Sequence, residues 1–452
     1  MIKYRNPRSN AVEILNMVER DHFYAEPLIN KVFLKVRYEK TEDKRLLNEL
    51  VYGTLRLKNR LDFIITYFYS GNFQKMEDGI RNILRVALYQ MFCMDKIPGY
   101  AAVNEAVQFT KSMYPGREGL VNAILRNSAR RKKEIVYPGY CQNPVEFIAS
   151  FHSHPHWLVA RWAEYFGIDE TLEICEANNR IPPLAVRANL MRTTREKLMC
   201  ELSKEGFHPR PSPLSPDAVL VDHHPYPLAE SPLYIQGFFQ FQDEASQLVS
   251  YLLNPGPDET VLDMCAGSGI KSTHIGALMK NQGSILAVDK NSARLAQGAE
   301  LAQRFGIGII ERIAADGEKD FGNAFYGRFD RILVDAPCTG LGTLRRKPEI
   351  KWFANEGDSM HYAKIQGALL KNCSLYLKSG GTMVYATCTT EPEENEELID
   401  CVLARDSSLS LCTPREFPRP DTIDSGGFFR TLPHRHGADG FFGAILKKTG
   451  NR

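Results

Sequence analysis

The sequence predicts a doubly wound, largely parallel α/β domain, preceded by a small α+β subdomain and an all-helical front. Three observations carry this. From Gln242 onward, short apolar runs of strand composition alternate with helical segments. Residues 145–235 mix strand and helix patterns over short distances. Residues 5–135 show only the periodicity of amphipathic helices.

Length and composition set the frame. A chain of 452 residues with 43% hydrophobic residues can fill two or three cores. The expected boundaries are 1–140, 141–240 and 241–452. No run of about 18 apolar residues occurs, so no membrane span is expected. The opening MIKYRNPRSNAVEIL lacks the apolar core of a signal peptide. Ten cysteines are scattered without a CxxC pair, which argues against a disulfide framework or zinc ribbon and fits a reducing, cytoplasmic setting. Net charge is only +2, but residues 1–140 carry 24 Lys and Arg against 15 Asp and Glu. A basic front on an acidic remainder is compatible with a nucleic-acid-binding module attached to an enzyme.

Along the front, Val12, Ile14, Leu15 and Val18 form one apolar face, and Leu46, Leu47, Leu50 and Val51 another. Ile80, Ile83, Leu84, Ala87, Leu88 and Met91 form a third. The last helix of this region ends in Arg126, Arg130, Arg131, Lys132 and Lys133, candidates for phosphate contacts. In the connector, SHPHWLVARWAEYFG reads as a helix, Leu184–Asn189 as a strand, Thr194–Glu205 as a helix and 218–221 as a strand. Pro209, Pro211, Pro213 and Pro216 mark a loop. His152, His154, His156, His223 and His224 have no carboxylate or cysteine at ligand spacing and are read as polar contacts, so no metal site is expected. Beyond Gln242 the expected strands are 261–265, 285–289, 309–314, 332–335, 382–388 and 441–447. Helices fall between them, notably over 269–280, 292–305, 363–377 and 393–404.

The first of these strands runs into a glycine turn, VLDMCAGSGIKSTHIGAL. A P-loop is excluded because Ile270 separates Gly269 from Lys271 and the earlier glycine is missing. A dinucleotide fingerprint lacks its third glycine, at Ser272. The remaining candidate is the class I, Rossmann-like S-adenosylmethionine fold. In that fold the loop cradles the methionine end, an acid after the second strand (Asp289) holds the ribose, and an acid after the third (Asp316) meets the adenine.

The fourth strand ends in Asp335 and turns through Pro337, Cys338, Thr339 and Gly340. Cys388 closes another strand in the same way. Two thiols at strand carboxyl edges point to covalent chemistry on a pyrimidine. A thiolate adding to carbon 6 makes carbon 5 nucleophilic towards a methyl group, and a second thiol can assist release.

Several stretches carry a resemblance. KRLLNELVYGTLR, IRNILRVALYQMF, IPGYAAVNEAV and GLVNAILRN resemble the NusB-type RNA-binding domain found at the front of certain ribosomal RNA methyltransferases. QDEASQL, VLDMCAGSGIKST, AVDKNSARL, FDRILVDAPCTGLGTLRRKPEIKW, GGTMVYATCTTEPEENE and DGFFGAILKK resemble the NOL1/NOP2/Sun family of RNA cytosine-C5 methyltransferases. The resemblance implies a monomeric enzyme that methylates carbon 5 of a cytidine in small-subunit (16S) ribosomal RNA, with S-adenosylmethionine as cofactor and no DNA partner. It implies Cys388 as nucleophile, Cys338 as the helper in release, and Asp335 with Lys271 beside the cytosine or the methionine amino group. Cys265, Ala266, Gly267, Ser268, Gly269, Ile270, Lys271, Asp289, Asp316 and Asp335 would bind the cofactor. Arg345, Arg346 and Lys347 would meet RNA, along with Arg126, Arg130 and Arg131. The family's usual loop reads CAAPGGKT; here Gly267, Ser268 and Ile270 replace Ala, Pro and Gly. A β-branched residue in place of glycine implies either a regular φ there or weakened cofactor binding. Two rivals remain open: a non-catalytic RNA-binding assembly factor on the same fold, and a transfer RNA methyltransferase.

Overall fold

Amphipathic periodicity dictates the front of the molecule. The computed structural model describes residues 6–449 apart from 37, 39, 223, 224 and 415, so His223 and His224 lie outside the described residues. The chain divides into two units. The first holds everything up to Arg180 together with Leu344–Ala354; the second holds Ile181–Thr343 and the chain from Asn355.

In the first unit the front is helical: Pro7–Asp21, Ala25–Lys35, Thr41–Arg56, Lys58–Phe68, Asp78–Cys93, Gly99–Met113 and Glu118–Arg130. Asp78–Cys93 is the central helix, buried from Gly79 through Gln90 on almost every face. It even buries a charge. The Arg85 guanidinium is accommodated because it meets Asp62 at 2.6 Å and Glu19 at 2.7 Å. Gly53 permits the crossing with Thr41–Arg56, since a Cβ there would fall inside the Tyr89 ring. Pro144–Phe151, His156–Phe166 and Ile168–Asn178 also group with this unit. The sequence alternation had set them with the α+β subdomain.

The second unit contains two sheets. The smaller is antiparallel, in the order β2-β3-β1-β4, from β1 (Leu184–Ala188), β2 (Pro209–Pro211), β3 (Ala218–Val221) and β4 (Phe239–Phe241). The proline stretch expected to be a loop supplies β2. It lies on the sheet edge, where a missing N–H costs no ladder bond.

The larger sheet is built from β5 (Thr260–Asp263), β6 (Ser284–Asp289), β7 (Ile310–Ala314), β8 (Phe329–Asp335), β9 (Leu377–Thr387), β10 (Leu409–Cys412), β11 (Phe429–Thr431) and β12 (Phe441–Lys448). Its order is β10-β12-β9-β8-β5-β6-β7, with β11 paired to β12. β5 to β9 run parallel, while β10, β11 and β12 pair antiparallel. All six expected strands are present, and β10 and β11 are additional. The order reverses between β5 and β8, which opens a crevice at the carboxyl edge. Register delivers the side chains there: Asp335 pairs with Ala386, so the ends of β8 and β9 emerge side by side. Among the described residues, no helix is long and apolar enough to cross a membrane.

Candidate active site

The loop after β5 is shaped by two glycines. Gly267 (φ 55°) and Gly269 (φ 72°) adopt the left-handed conformation that favours glycine. Ile270 does not. It is the first residue of helix Ile270–Leu278, with Gly269 as its cap. The β-branched side chain therefore sits where φ is regular, and the departure from CAAPGGKT carries no backbone strain. Cys265, Ala266 and Ser268 complete the loop, tied down by Ala266 N–H donating to Val288 O and Gly269 N–H to Ala266 O, both at 2.9 Å. Burial pushes the Cys265 thiol well up.

Carboxylates close the crevice. Asp289, at the end of β6, accepts from Gly267 N–H and from Asn291 N–H, each at 2.8 Å. Asp316 lies just past β7, half-buried, and accepts from Glu318 N–H at 3.2 Å. Asp335, ending β8, accepts from Lys271 Nζ at 2.6 Å. Asp263, fully buried at the end of β5, accepts from Ser272 Oγ at 2.6 Å. Its other oxygen has no partner among the described residues. Burial, aided by the charges of Asp335 and Asp289, pushes the Asp263 carboxyl up to about 7. An acceptor left over beneath a glycine turn, with Asp289 beside it, fits a ligand carrying an amino group and a ribose.

Beside this crevice stand the two thiols. Cys338 follows β8 and Cys388 follows β9, and their sulfurs lie 3.4 Å apart. The hydrogen bond to Cys388, burial, and the charges of Cys388 and Glu394 hold the Cys338 thiol well above the ordinary thiol range. Gly342 supports the pair: its N–H donates to Cys388 O at 2.9 Å, and a Cβ there would meet Gly440 O.

Comparison with known proteins now decides the family. The family description "16S rRNA methyltransferase RsmB/F" matches residues 250–447, the NusB family matches 5–130, and a ferredoxin-like domain of RsmF/B-like methyltransferases matches 154–227. The chain is 36% identical to a probable ribosomal RNA small subunit methyltransferase B of Bacillus subtilis, over 99% of this chain and 100% of that one. It is 32% identical to ribosomal RNA small subunit methyltransferase B of an Escherichia coli strain, again over 99% and 100%. The chain belongs to the ribosomal RNA small subunit methyltransferase B family. Its cofactor is S-adenosylmethionine. The crystal structure of PH0851 superposes with a TM-score of 0.82 at 27% identity, covering 99% of this chain and 100% of that one. A methyltransferase homologue from Pyrococcus horikoshii gives 0.58 at 28% identity, over 66% and 97%.

Other residues of this methyltransferase shape the site without having stood out in the sequence. Arg187 of β1 is buried and donates to Ile270 O at 2.8 Å and to Thr273 Oγ1 at 3.1 Å, bracing the start of the loop helix. Burial holds its guanidinium down to about 9. Thr339, Thr389, Gln366 and Glu394 form a polar cluster around the cysteine turns. Charged residues are mostly exposed, so composition alone marks neither a basic residue in a strand nor one glutamate within an acidic run as part of a site.

The expected RNA contacts separate. Arg126, Arg130 and Arg131 are exposed at the end of Glu118–Arg130. Arg131 pairs with Glu134 at 2.7 Å, and Arg130 donates to Asn127 Oδ1 at 2.7 Å. Lys347 is exposed, with its ammonium 5.6 Å from the Tyr24 ring, and Arg346 is half-buried. Arg345 is buried, not a surface cation, and its carbonyl accepts from Arg56 at 3.4 Å.

Proposed function

We propose that the protein methylates carbon 5 of a cytidine in small-subunit ribosomal RNA through a covalent adduct on Cys388, with Cys338 assisting release. The observation that carries this reading is the pair of sulfurs 3.4 Å apart at adjacent strand ends, beside the Lys271–Asp335 pair.

The two thiols titrate as a pair, and in this reading Cys388 is the one that attacks. Its thiolate adds to carbon 6 of the ring, and the carbon 5–carbon 6 π pair makes carbon 5 nucleophilic. S-adenosylmethionine, when bound, would supply an electrophilic methyl carbon to carbon 5, with the methyl–sulfur electron pair staying on the departing thioether sulfur. The loop 265–271 and Asp289 would hold the cofactor's methionine and ribose parts, and Asp316 its adenine. Asp335, oriented by Lys271, contacts the cytosine or the cofactor's amino group. Adduct formation also changes Cys338. Once the Cys388 sulfur is bonded to carbon it is uncharged, so no neighbouring thiolate opposes ionisation of Cys338. Cys338 can then lose that proton to solvent and accept the one on carbon 5. The released C–H pair rebuilds the double bond, and the carbon 6–sulfur pair returns to Cys388.

Two measurements test this. Bisulfite sequencing of ribosomal RNA from a deletion strain should show one cytidine losing protection that the wild-type gene restores. In vitro, Cys388→Ala should be inactive and form no RNA adduct. Cys338→Ala should accumulate a methylated protein–RNA complex stable to denaturing electrophoresis. The opposite pattern reverses the roles, and full activity in both variants removes the thiol mechanism.

A further inference from the structure

A buried dipeptide just past the Cys388 strand reaches the flanks of both cysteines. Glu394 and Asn395 are fully buried, at the join between the turn Pro392–Glu394 and helix Glu396–Arg405. The Glu394 carboxylate accepts from Thr339 N–H at 3.1 Å, from Thr339 Oγ1 at 2.5 Å and from Gln366 Nε2 at 2.9 Å. Gln366 Nε2 also donates to Pro337 O at 2.9 Å. Pro337 and Thr339 are the two neighbours of Cys338. Asn395 does the same for the other thiol: Thr387 Oγ1 donates to its Oδ1 at 2.6 Å, and its Nδ2 donates to Thr389 O at 3.1 Å. Thr387 and Thr389 are the two neighbours of Cys388. A contact of 2.6 Å between the Thr339 and Thr389 hydroxyls ties the halves together.

We propose that Glu394 and Asn395 form a clamp that positions the two thiols against each other, with Glu394 the positioning residue of the helper Cys338. The proposal rests on the thiol mechanism above and deepens it. A carboxylate suits the place, because it only accepts and the groups facing it donate. A glutamine there would turn an NH2 towards a donor. The negative charge also strengthens Cys338 as an acceptor for the carbon 5 proton.

The titratable groups around Glu394 are Cys338 on the turn after β8, Tyr385 on β9 and Glu391 on its own turn, with Cys388 beyond Cys338. Helix Asp358–Tyr376 contributes the neutral Gln366. Burial pushes the Glu394 carboxyl up to about 7, against the pull of its hydrogen bonds from Thr339 and Gln366. Below that pH the carboxyl is protonated, one acceptor becomes a donor, and the grip on Thr339 weakens.

The test separates the clamp from the methylation chemistry. Purified full-length protein is treated with diamide, an azo oxidant that takes one hydrogen from each thiol and leaves a Cys338–Cys388 disulfide, mapped by peptide mass spectrometry. Wild type should cross-link these two residues first. Glu394→Gln and Asn395→Ala should each slow that cross-link about tenfold or more, the loss of a charge-assisted or buried hydrogen bond. Cofactor affinity by calorimetry should stay at the wild-type value, which shows that the variants are folded. Cross-linking at the wild-type rate in folded Glu394→Gln overturns the clamp, whatever the RNA assay shows. Slowed cross-linking without any wild-type RNA adduct supports the clamp and sinks the thiol mechanism instead. With RNA, Glu394→Gln should form the adduct at the wild-type rate but release it about tenfold more slowly. Its release should lack the wild-type decline below pH 7. Equal slowing of formation and release would mean general damage and would overturn the specific link to Cys338.

Discussion

Asp289 illustrates how much a single carboxylate does at the end of a parallel strand. It accepts from Gly267 N–H and from Asn291 N–H, so its oxygens organise the glycine turn before any ligand arrives. Asp289→Ala should weaken S-adenosylmethionine binding at least about tenfold, on the scale of one lost charge-assisted hydrogen bond. Calorimetry at matched stability is the check, and an unchanged Kd removes Asp289 from the cofactor site. Residues of this kind were legible in the sequence because strand ends advertise them: an apolar run stops at an acid or a thiol. Glu394 and Arg345 were not. Charged residues are mostly exposed, and only three-dimensional partners reveal the ones that are not.

Among the elements, those with long apolar runs were readable, and those specified by their place in a sheet were not. β2 contains two prolines and exists because it is an edge. β10 and β11 are only four and three residues long, too short for a period to show. The loop helix shows the same lesson at a functional position. Sequence comparison marked Ile270 as a replaced loop glycine, whereas the backbone makes it the first helical residue. Ile270→Gly should therefore bring no gain in cofactor affinity. It should lower stability by roughly 0.5–1 kcal/mol through the poor helix propensity of glycine. Calorimetry with cofactor and a denaturant titration decide it. A clear rise in affinity would show that the isoleucine side chain hinders the ligand.

For the whole molecule, the distribution of charge and chain connectivity make separate claims on RNA. Segment Leu344–Ala354 leaves the cysteine-bearing turn and enters the helical unit. There Lys351 is fully buried, its ammonium donating to Arg56 O and Ser153 O at 2.8 Å and to Asn179 Oδ1 at 3.2 Å. Trp352 donates to Leu55 O at 2.7 Å, and Glu349 accepts from Ala25 N–H at 3.0 Å. RRKPEIKW is thus largely built into the helical unit, with Lys347 left as its exposed cation. Deleting residues 1–140 would strip these partners and confuse lost affinity with lost structure. A cleaner test uses the exposed end of Glu118–Arg130. Replacing Arg126, Arg130 and Arg131 by Gln removes three charges from exposed positions whose neighbouring core is left intact. If each neutralises a phosphate, the slope of log affinity against log salt should become shallower by about 2. Cofactor affinity should not change. Binding of ribosomal RNA fragments across a salt series would measure it. An identical slope would mean that the basic front serves some purpose other than phosphate contact.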